Sequence, residues 1–275
     1  MTAASHSSDE SRLIVVLLSG GIDSTVVATM AAQKGYAVHL VSISYGQSAQ
    51  FAEEVHGDAV ANFLLDRYPS VQNHIRMTMG GSVRVERDEF GAAQVLNQDI
   101  GGFHGFRGSA EPFVHNNVVL QGYPSTRDEV ISLFAAARLE HLLRKNPQIK
   151  TGEVWLATNA DDISNFPDIS QQNIADMNSI LSRKLMAQQG RTVRIETPLI
   201  EKTKKEILQY GFEIGAPLEL TWSCYLGAPA SPCKGCDQCE WREAAFEAIG
   251  RSDPAQAPNV ISKIKGMAEQ WLAKV

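Results

Sequence analysis

Apolar residues along this chain come in short dense runs that alternate with longer stretches of helical spacing. Leu13 to Leu18 is one such run, closed by Ser-Gly-Gly, and its unbroken Leu, Ile and Val character predicts a parallel strand buried on both faces. A helix is expected from about Asp23 to Lys34, stopped by Gly35, then a strand from Ala37 to Ile43. Gln50 to Leu65 carries helical spacing up to Tyr68-Pro69, and a third strand is expected near Asn73 to Met79. Strand and helix in alternation predict a doubly wound α/β sheet.

The periodicity then fails. From Gly80 to Gly122 the chain is rich in Gly, Asn and His without a sustained period, too long for an idle loop in a compact domain. It is expected to be a partly ordered lid, with a small insertion subdomain as the alternative. Regular spacing resumes with a helix at Asp128 to Leu143, a strand at Val154 to Ala157, a helix at Ile174 to Met186 and a strand at Val193 to Ile195. Thr203-Lys-Lys-Glu206 has the form of a capping box and should open another helix. After a linker from Arg251 to Pro258, Ile261, Ile264, Ala268 and Trp271 share one face of a last helix, read as a docked core face rather than a partner-binding one.

Length and charge narrow the picture. The 275 residues suit one elaborated domain with an appendage, and the net charge of −6 argues against a general affinity for duplex nucleic acid. The opening MTAASHSSDESR is polar and acidic, unlike a secretory signal, and no stretch is apolar enough to span a bilayer, so a cytoplasmic protein with a disordered tail over 1–11 is expected.

Two stretches carry candidate chemistry. In SGGIDS, Gly20 and Gly21 allow a sharp turn after the first strand and bring backbone N–H groups close to a ligand. The following helix aims its free N–H groups and positive dipole end at the same place, which makes a nest for pyrophosphate. Ser19 and Ser24 add hydroxyls, and Asp23 either caps the helix or helps hold Mg2+. No GKS or GKT ending follows, so the pattern does not favour γ-phosphate transfer.

The second is Cys224, Cys233, Cys236 and Cys239, which hold all of the chain's cysteines in the spacing C-x8-C-x2-C-x2-C. Overlapping CxxC steps, with Gly235 permitting a tight knuckle, fit a closed tetrahedral Zn2+ site of structural character; an iron–sulfur cluster is the rival. With all four cysteines engaged, none remains as a sulfur carrier.

Taken in order, SGGIDS, Ser44-Tyr45-Gly46-Gln47 followed by Glu53-Glu54, the loop from Asn159 to Asp168, Thr197-Pro198-Leu199 with Lys204, and Thr221 to Tyr225 leading into the cysteines resemble the QueC family of 7-cyano-7-deazaguanine synthases, which are PP-loop ATPases. The resemblance covers roughly residues 13–250. It implies a five-stranded sheet over 12–220 with an insertion at 80–122, a zinc-binding and helical region over 221–275, and an enzyme using ATP and Mg2+ to adenylate the carboxylate of 7-carboxy-7-deazaguanine. Ammonia then attacks to give an amide, and a second adenylation gives the nitrile.

By this resemblance Asp23, Lys204 and Arg127 are catalytic, and Ser19, Gly20, Gly21, Asp23, Ser24, Tyr45 and Gln47 bind ATP. Asn159, Asp162, Phe166 and Asp168 face the substrate, with Asp162 or Asp168 pairing with the guanine-like edge and Asp161 facing solvent. A homodimer is expected.

Departures gather around the substrate. Pro167-Asp168-Ile169-Ser170 stands where the family usually reads PDCR, and Tyr123-Pro124-Ser125-Thr126-Arg127-Asp128 lacks the usual Asn at its end. They point toward the divergent QueC-like branch of type IV CBASS anti-phage operons, in which a protein amine would replace ammonia and His104, Arg107, Glu111 and His115 would offer polar contacts. Another PP-loop ATPase of nucleic-acid modification and a non-catalytic nucleotide-binding zinc protein are the alternatives.

Overall fold

The computed structural model describes residues 12–45, 47, 49–78, 84–87, 93–96, 113–115, 118–120, 127–165, 170–184, 187 and 189–273. Strands β1 (Arg12–Leu17), β2 (Ala37–Ser44), β3 (Val71–Thr78), β8 (Thr151–Trp155) and β9 (Thr192–Glu196) form one parallel sheet in the order β3-β2-β1-β8-β9. Between β3 and β8, two short antiparallel pairs, β4 (Arg84–Arg87) with β5 (Ala93–Leu96) and β6 (Phe113–His115) with β7 (Val118–Leu120), occupy part of the segment expected as a lid. Phe166, Asp168, Ile169 and the side chains of His104, Arg107, Glu111 and His115 lie outside the described residues.

The pleat of β1 explains its unbroken apolar run. Ile14 and Val16 point into one core layer and Leu13 and Val15 into the other, all fully or almost fully buried. The first layer is covered by α1 (Ile22–Gln33), α2 (Gln50–Arg67), α6 (Lys204–Glu213), α7 (Asp237–Ala248) and α8 (Pro258–Leu272). The second is covered by α3 (Arg127–Lys145) and α5 (Gln171–Leu181). Burying each such Leu, Ile or Val contributes about 1.5–3 kcal/mol.

The capping box at α6 forms as expected, with the Thr203 hydroxyl accepting from the Glu206 amide and the Glu206 carboxylate accepting from the Thr203 amide. The stripe on α8 docks: Ile264 is buried, and Trp271 packs on Phe51 of α2 with ring centroids 5.1 Å apart. Pro254–Gln256, inside the expected linker, closes a turn of 3-10 helix. Among the described residues no helix is long and apolar enough to cross a membrane.

After β1 the chain winds to β2 and β3 on one side, then returns to β8 and β9 on the other. The reversal opens a crevice at the carboxyl ends of β1 and β8, where sheets of this kind take ligands.

Candidate functional site

The turn leaving β1 is built for close backbone approach. Gly20 sits at φ 81°, and a Cβ there would fall 2.7 Å from the backbone nitrogen of Gly57 on α2. Only glycine satisfies both demands. Gly21 is the N-cap of α1 and has no side chain to occupy the helix's open amides. Ser24 is buried, donates to the Gly21 carbonyl and lies 3.1 Å from Ser19 Oγ, which accepts from the Gly21 amide. Ser24 therefore braces the turn, and Ser19 is its exposed member.

Asp23, in the first turn of α1, makes no cap. Its Oδ2 contacts the Lys204 ammonium and accepts from Asn159 Nδ2 at 3.2 Å, while its buried Oδ1 has no partner among the described residues. Lys204 is the first residue of α6, and its amide is held by Asp161 Oδ2 at 2.8 Å, which ties the exposed Asp161 to the site. Burial pulls the Lys204 ammonium toward neutrality, but Asp23 and Asp162 outweigh it and its pKa is raised, so it stays charged.

Asn159 is fully buried and fully engaged. Its Oδ1 accepts from the amides of Asp161 and Asp162, opening the short helix α4 (Ala160–Asn165), and its Nδ2 donates to both Asp23 and Asp162. Asp162, read from sequence as a partner for a base edge, thus stands beside the phosphate turn. Burial, with Asp23 nearby and against the pull of Lys204, pushes its carboxyl up to about 7.

Across the crevice, Gln47 Oε1 accepts from the Tyr45 amide and Gln47 Nε2 donates to Glu53 Oε2 at 2.7 Å. Burial raises the Glu53 pKa against the Gln47 hydrogen bond and Arg127. Arg127 opens α3, pairs with Asp128 at 2.8 Å and interacts with Tyr45. These groups, with Asp23, Asp162 and Lys204, line a cleft of about 340 Å³ that also takes in Tyr225 and Gln238 from the cysteine region. That volume suits a small-molecule site. A second cavity of about 410 Å³, between the cysteine loop, α7 and α8, contains none of the residues of the glycine turn. The sequence alone does not single out Glu53, Asp128, Tyr225 and Gln238 as site residues, although the Glu53-Glu54 pair and the stretch Thr221 to Tyr225 carry a signal for two of them.

Among the described residues the cleft carries two basic side chains, Arg127 and Lys204, against five acidic ones, Asp23, Glu53, Glu54, Asp128 and Asp162. A polyphosphate entering it needs a cation as partner, and the unpartnered Asp23 Oδ1 is a fitting ligand atom.

Cys224, Cys233, Cys236 and Cys239 converge with all four Sγ atoms within 4.8 Å of one another. Three Sγ pairs measure 3.6, 3.9 and 3.9 Å, close to the edge of about 3.8 Å that a tetrahedron with metal–sulfur bonds of ~2.3 Å must have. A four-iron cluster would spread the sulfurs much further, since iron and bridging sulfide lie between them. The amides of Leu226, Gly227 and Cys233 all point at Cys224 Sγ.

The left-handed residues of this knuckle are Ala230 (φ 64°) and Lys234 (φ 60°), not Gly235, whose expected role passes to Lys234. The glycine that matters is Gly227, where a Cβ would lie 2.5 Å from Ser231 O and 3.1 Å from Cys224 Sγ. The knuckle is anchored to the glycine turn, because the Trp222 amide donates to the Gly20 carbonyl at 2.8 Å.

Known proteins are similar to the chain over most of its length. A 7-cyano-7-deazaguanine synthase of Methanothrix thermoacetophila is 30% identical over 88% of this chain and 97% of its own, and one of Trichodesmium erythraeum is 30% identical over 87% and 98%. Among solved structures, an NMN synthetase of Francisella tularensis overlaps 95% of this chain and 84% of its own at a TM-score of 0.41 and 12% identity, too loosely to carry an argument. The family profile described as queuosine biosynthesis protein QueC matches residues 13–89 and 138–250. With that match on both sides of the insertion, and relatives aligned over nearly their whole length, the chain belongs to the QueC family.

Proposed function

We propose that the protein adenylates the carboxylate of 7-carboxy-7-deazaguanine with ATP, releases pyrophosphate, and passes the acyl group to an amine with release of AMP. The observation that carries this reading is the convergence of Asp23, Lys204 and Asn159 over the glycine turn at the switch point of the sheet. A carboxylate oxygen is a poor leaving group and AMP a good one. The turn's amides and the Lys204 ammonium stabilise charge gathering on the departing pyrophosphate, at positions already set by Asn159 and Asp161.

ATP would lie with its phosphates on Ser19, Gly20, Gly21, Asp23 and Ser24 and its nucleoside toward Tyr45 and Gln47, with the substrate on the Asn159, Asp162 and Arg127 side. Mg2+ held by Asp23 would offset the phosphate charge in a cleft with more acidic than basic groups. The four cysteines would hold one structural Zn2+, leaving it no open coordination position and no part in the chemistry.

Amide formation with ammonia, followed by dehydration to the nitrile, is the first reading, and it accords with relatives named 7-cyano-7-deazaguanine synthase. A specific observation favours a second acceptor: the family profile leaves residues 90–137 unmatched, a stretch that holds most of the insertion and also Arg127 and Asp128 at the cleft. A bulkier amine, such as one on a protein, would find its contacts in this part of the chain.

Mass spectrometry of products from ATP, 7-carboxy-7-deazaguanine and either ammonium or a candidate acceptor protein tests both readings. AMP with pyrophosphate supports the adenylation, and ADP with phosphate refutes it. Nitrile with ammonium supports the first acceptor, and a protein mass increase without nitrile the second.

A further inference from the structure

Forming an amide from an acyl-adenylate leaves one proton to be removed from the attacking nitrogen. Among the described residues five carboxylates line the cleft, and three of them are answered by a cation. Asp23 is paired with Lys204, and Asp128 with Arg127. Glu54 takes Ser44 and Gln50 and lies 3.8 Å from Arg76, while Glu53 is held by Gln47 in the field of Arg127. Glu53 and Asp162 are each held by one side-chain amide instead, and of the two only Asp162 shares its amide with Asp23 at the glycine turn. Its Oδ2 is engaged by Asn159 Nδ2 at 2.6 Å, and its Oδ1 takes no hydrogen bond from the described residues and is not sealed from the cleft.

We propose that Asp162 is the proton acceptor of the amine-transfer step. The inference rests on the adenylation reading above and adds to it the residue that makes the amine a competent nucleophile. As the nitrogen lone pair forms the C–N bond, the C–O bond to AMP breaks with its electrons on the phosphate oxygen. The proton shed by the nitrogen passes to Asp162 Oδ1 and from there to water.

The surroundings suit the task. Asn159 holds Asp162 and Asp23 through one amide, so the base is fixed beside the group that faces the phosphates and needs no conformational search. Burial pushes its carboxyl up, Lys204 of α6 draws it down, and Asp23 of α1 and Asp128 of α3 push it up again, with the Tyr225 phenol also interacting with it; the outcome is about 7, where a general base works best.

The test separates the two half-reactions. ATP–pyrophosphate exchange dependent on 7-carboxy-7-deazaguanine reports adenylation; hydroxylamine, largely neutral at pH 7, intercepts the acyl group as a hydroxamate and reports amine transfer. Asp162→Asn keeps the shape and the Asn159 contact. Both assays are run at saturating 7-carboxy-7-deazaguanine, so that a loss of substrate affinity weighs on neither. The substitution should lower hydroxamate formation about 100-fold or more relative to exchange, and retained exchange also shows that the variant is folded. In the wild type, hydroxamate formation should bend downward as pH falls through about 7, and the variant should lack that bend. Equal loss of both half-reactions would place Asp162 on the phosphates and overturn the proposal, as would an unchanged rate with the bend intact. A wild-type protein without exchange would instead refute the adenylation reading itself.

Discussion

The Lys204 ammonium meets the Asp23 carboxylate across 181 residues of chain, joining the first turn of α6 to the first turn of α1 over the glycine turn. Neither helix start is adjacent in the sheet's winding order; the pair exists because both open toward the same crevice. The contact keeps Lys204 charged and in place before any nucleotide arrives.

Lys204→Ala should therefore lower pyrophosphate release by about 100- to 1,000-fold, the usual cost of removing one preorganised donor to developing charge. The circular dichroism spectrum should be unchanged, since the capping box of α6 uses Thr203 and Glu206 rather than Lys204. A variant within fivefold of wild type would mean that Lys204 only balances Asp23.

At Gly20 the expected damage is structural as well as catalytic. Gly20→Ala forces a left-handed φ on a residue with a Cβ and drives that Cβ to 2.7 Å from Gly57 N. Backbone strain of this kind costs about 1–3 kcal/mol, and relieving it shifts the turn that holds the phosphates. Denaturant titration should show the loss in stability, and binding of ATP should weaken at least tenfold. Gly35→Ala, also left-handed but with no atom within 4 Å of an added Cβ, should lose stability with little change in ATP binding.

What was legible in the sequence had local causes. The β1 run, the Ser-Gly-Gly turn and the α6 capping box each follow from neighbours within about two turns of chain, and the four cysteines from a short repeated spacing. Features set by distant partners were not. Glu153, one charged residue in an otherwise apolar strand, is buried because Arg12, Arg194 and the Trp155 indole all reach its carboxylate. The register that brings Arg194 directly opposite is invisible along the chain. Asp162 reads from sequence as a partner for the base edge, and only folding shows that Asn159 ties it to Asp23 beside the glycine turn. Gly227 and Lys234 were missed because their roles depend on how the cysteine loop closes on Cys224.

Stability should fall between pH 6.5 and 4 through His56. This residue is 2% exposed, stacks on Trp222 and uses Nδ1 against the Leu220 carbonyl, and burial lowers its pKa from 6.5 to about 4. The unfolded chain binds a proton at pH 6.5 and the folded one only near pH 4, so stability is intact above 6.5 and is lost as pH drops through that window. The full effect is on the order of 3 kcal/mol. His56→Asn, which retains a donor for Leu220 but does not titrate, should make the profile less steep over that range in denaturant titrations at a series of pH values, the remaining slope belonging to His74, whose pKa burial likewise lowers to about 4. An equally steep profile in the variant would assign the acid sensitivity to other groups.

The cysteine knuckle should hold one zinc ion per chain and support catalysis from a distance. Sulfur spacings of 3.6–3.9 Å fit a single tetrahedral ion, so metal analysis should find zinc and the visible spectrum should be empty. The knuckle also supplies Tyr225 to the cleft, and its first strand of chain ties Trp222 to the Gly20 carbonyl. Cys236→Ser, or exhaustive chelation, should therefore lower the melting temperature and weaken ATP-dependent pyrophosphate release together, although no cysteine lines the cleft. Readdition of zinc to the chelated protein should restore both. Iron with a visible charge-transfer band would replace the single ion by a cluster, and full pyrophosphate release from metal-free protein would uncouple the knuckle from the glycine turn.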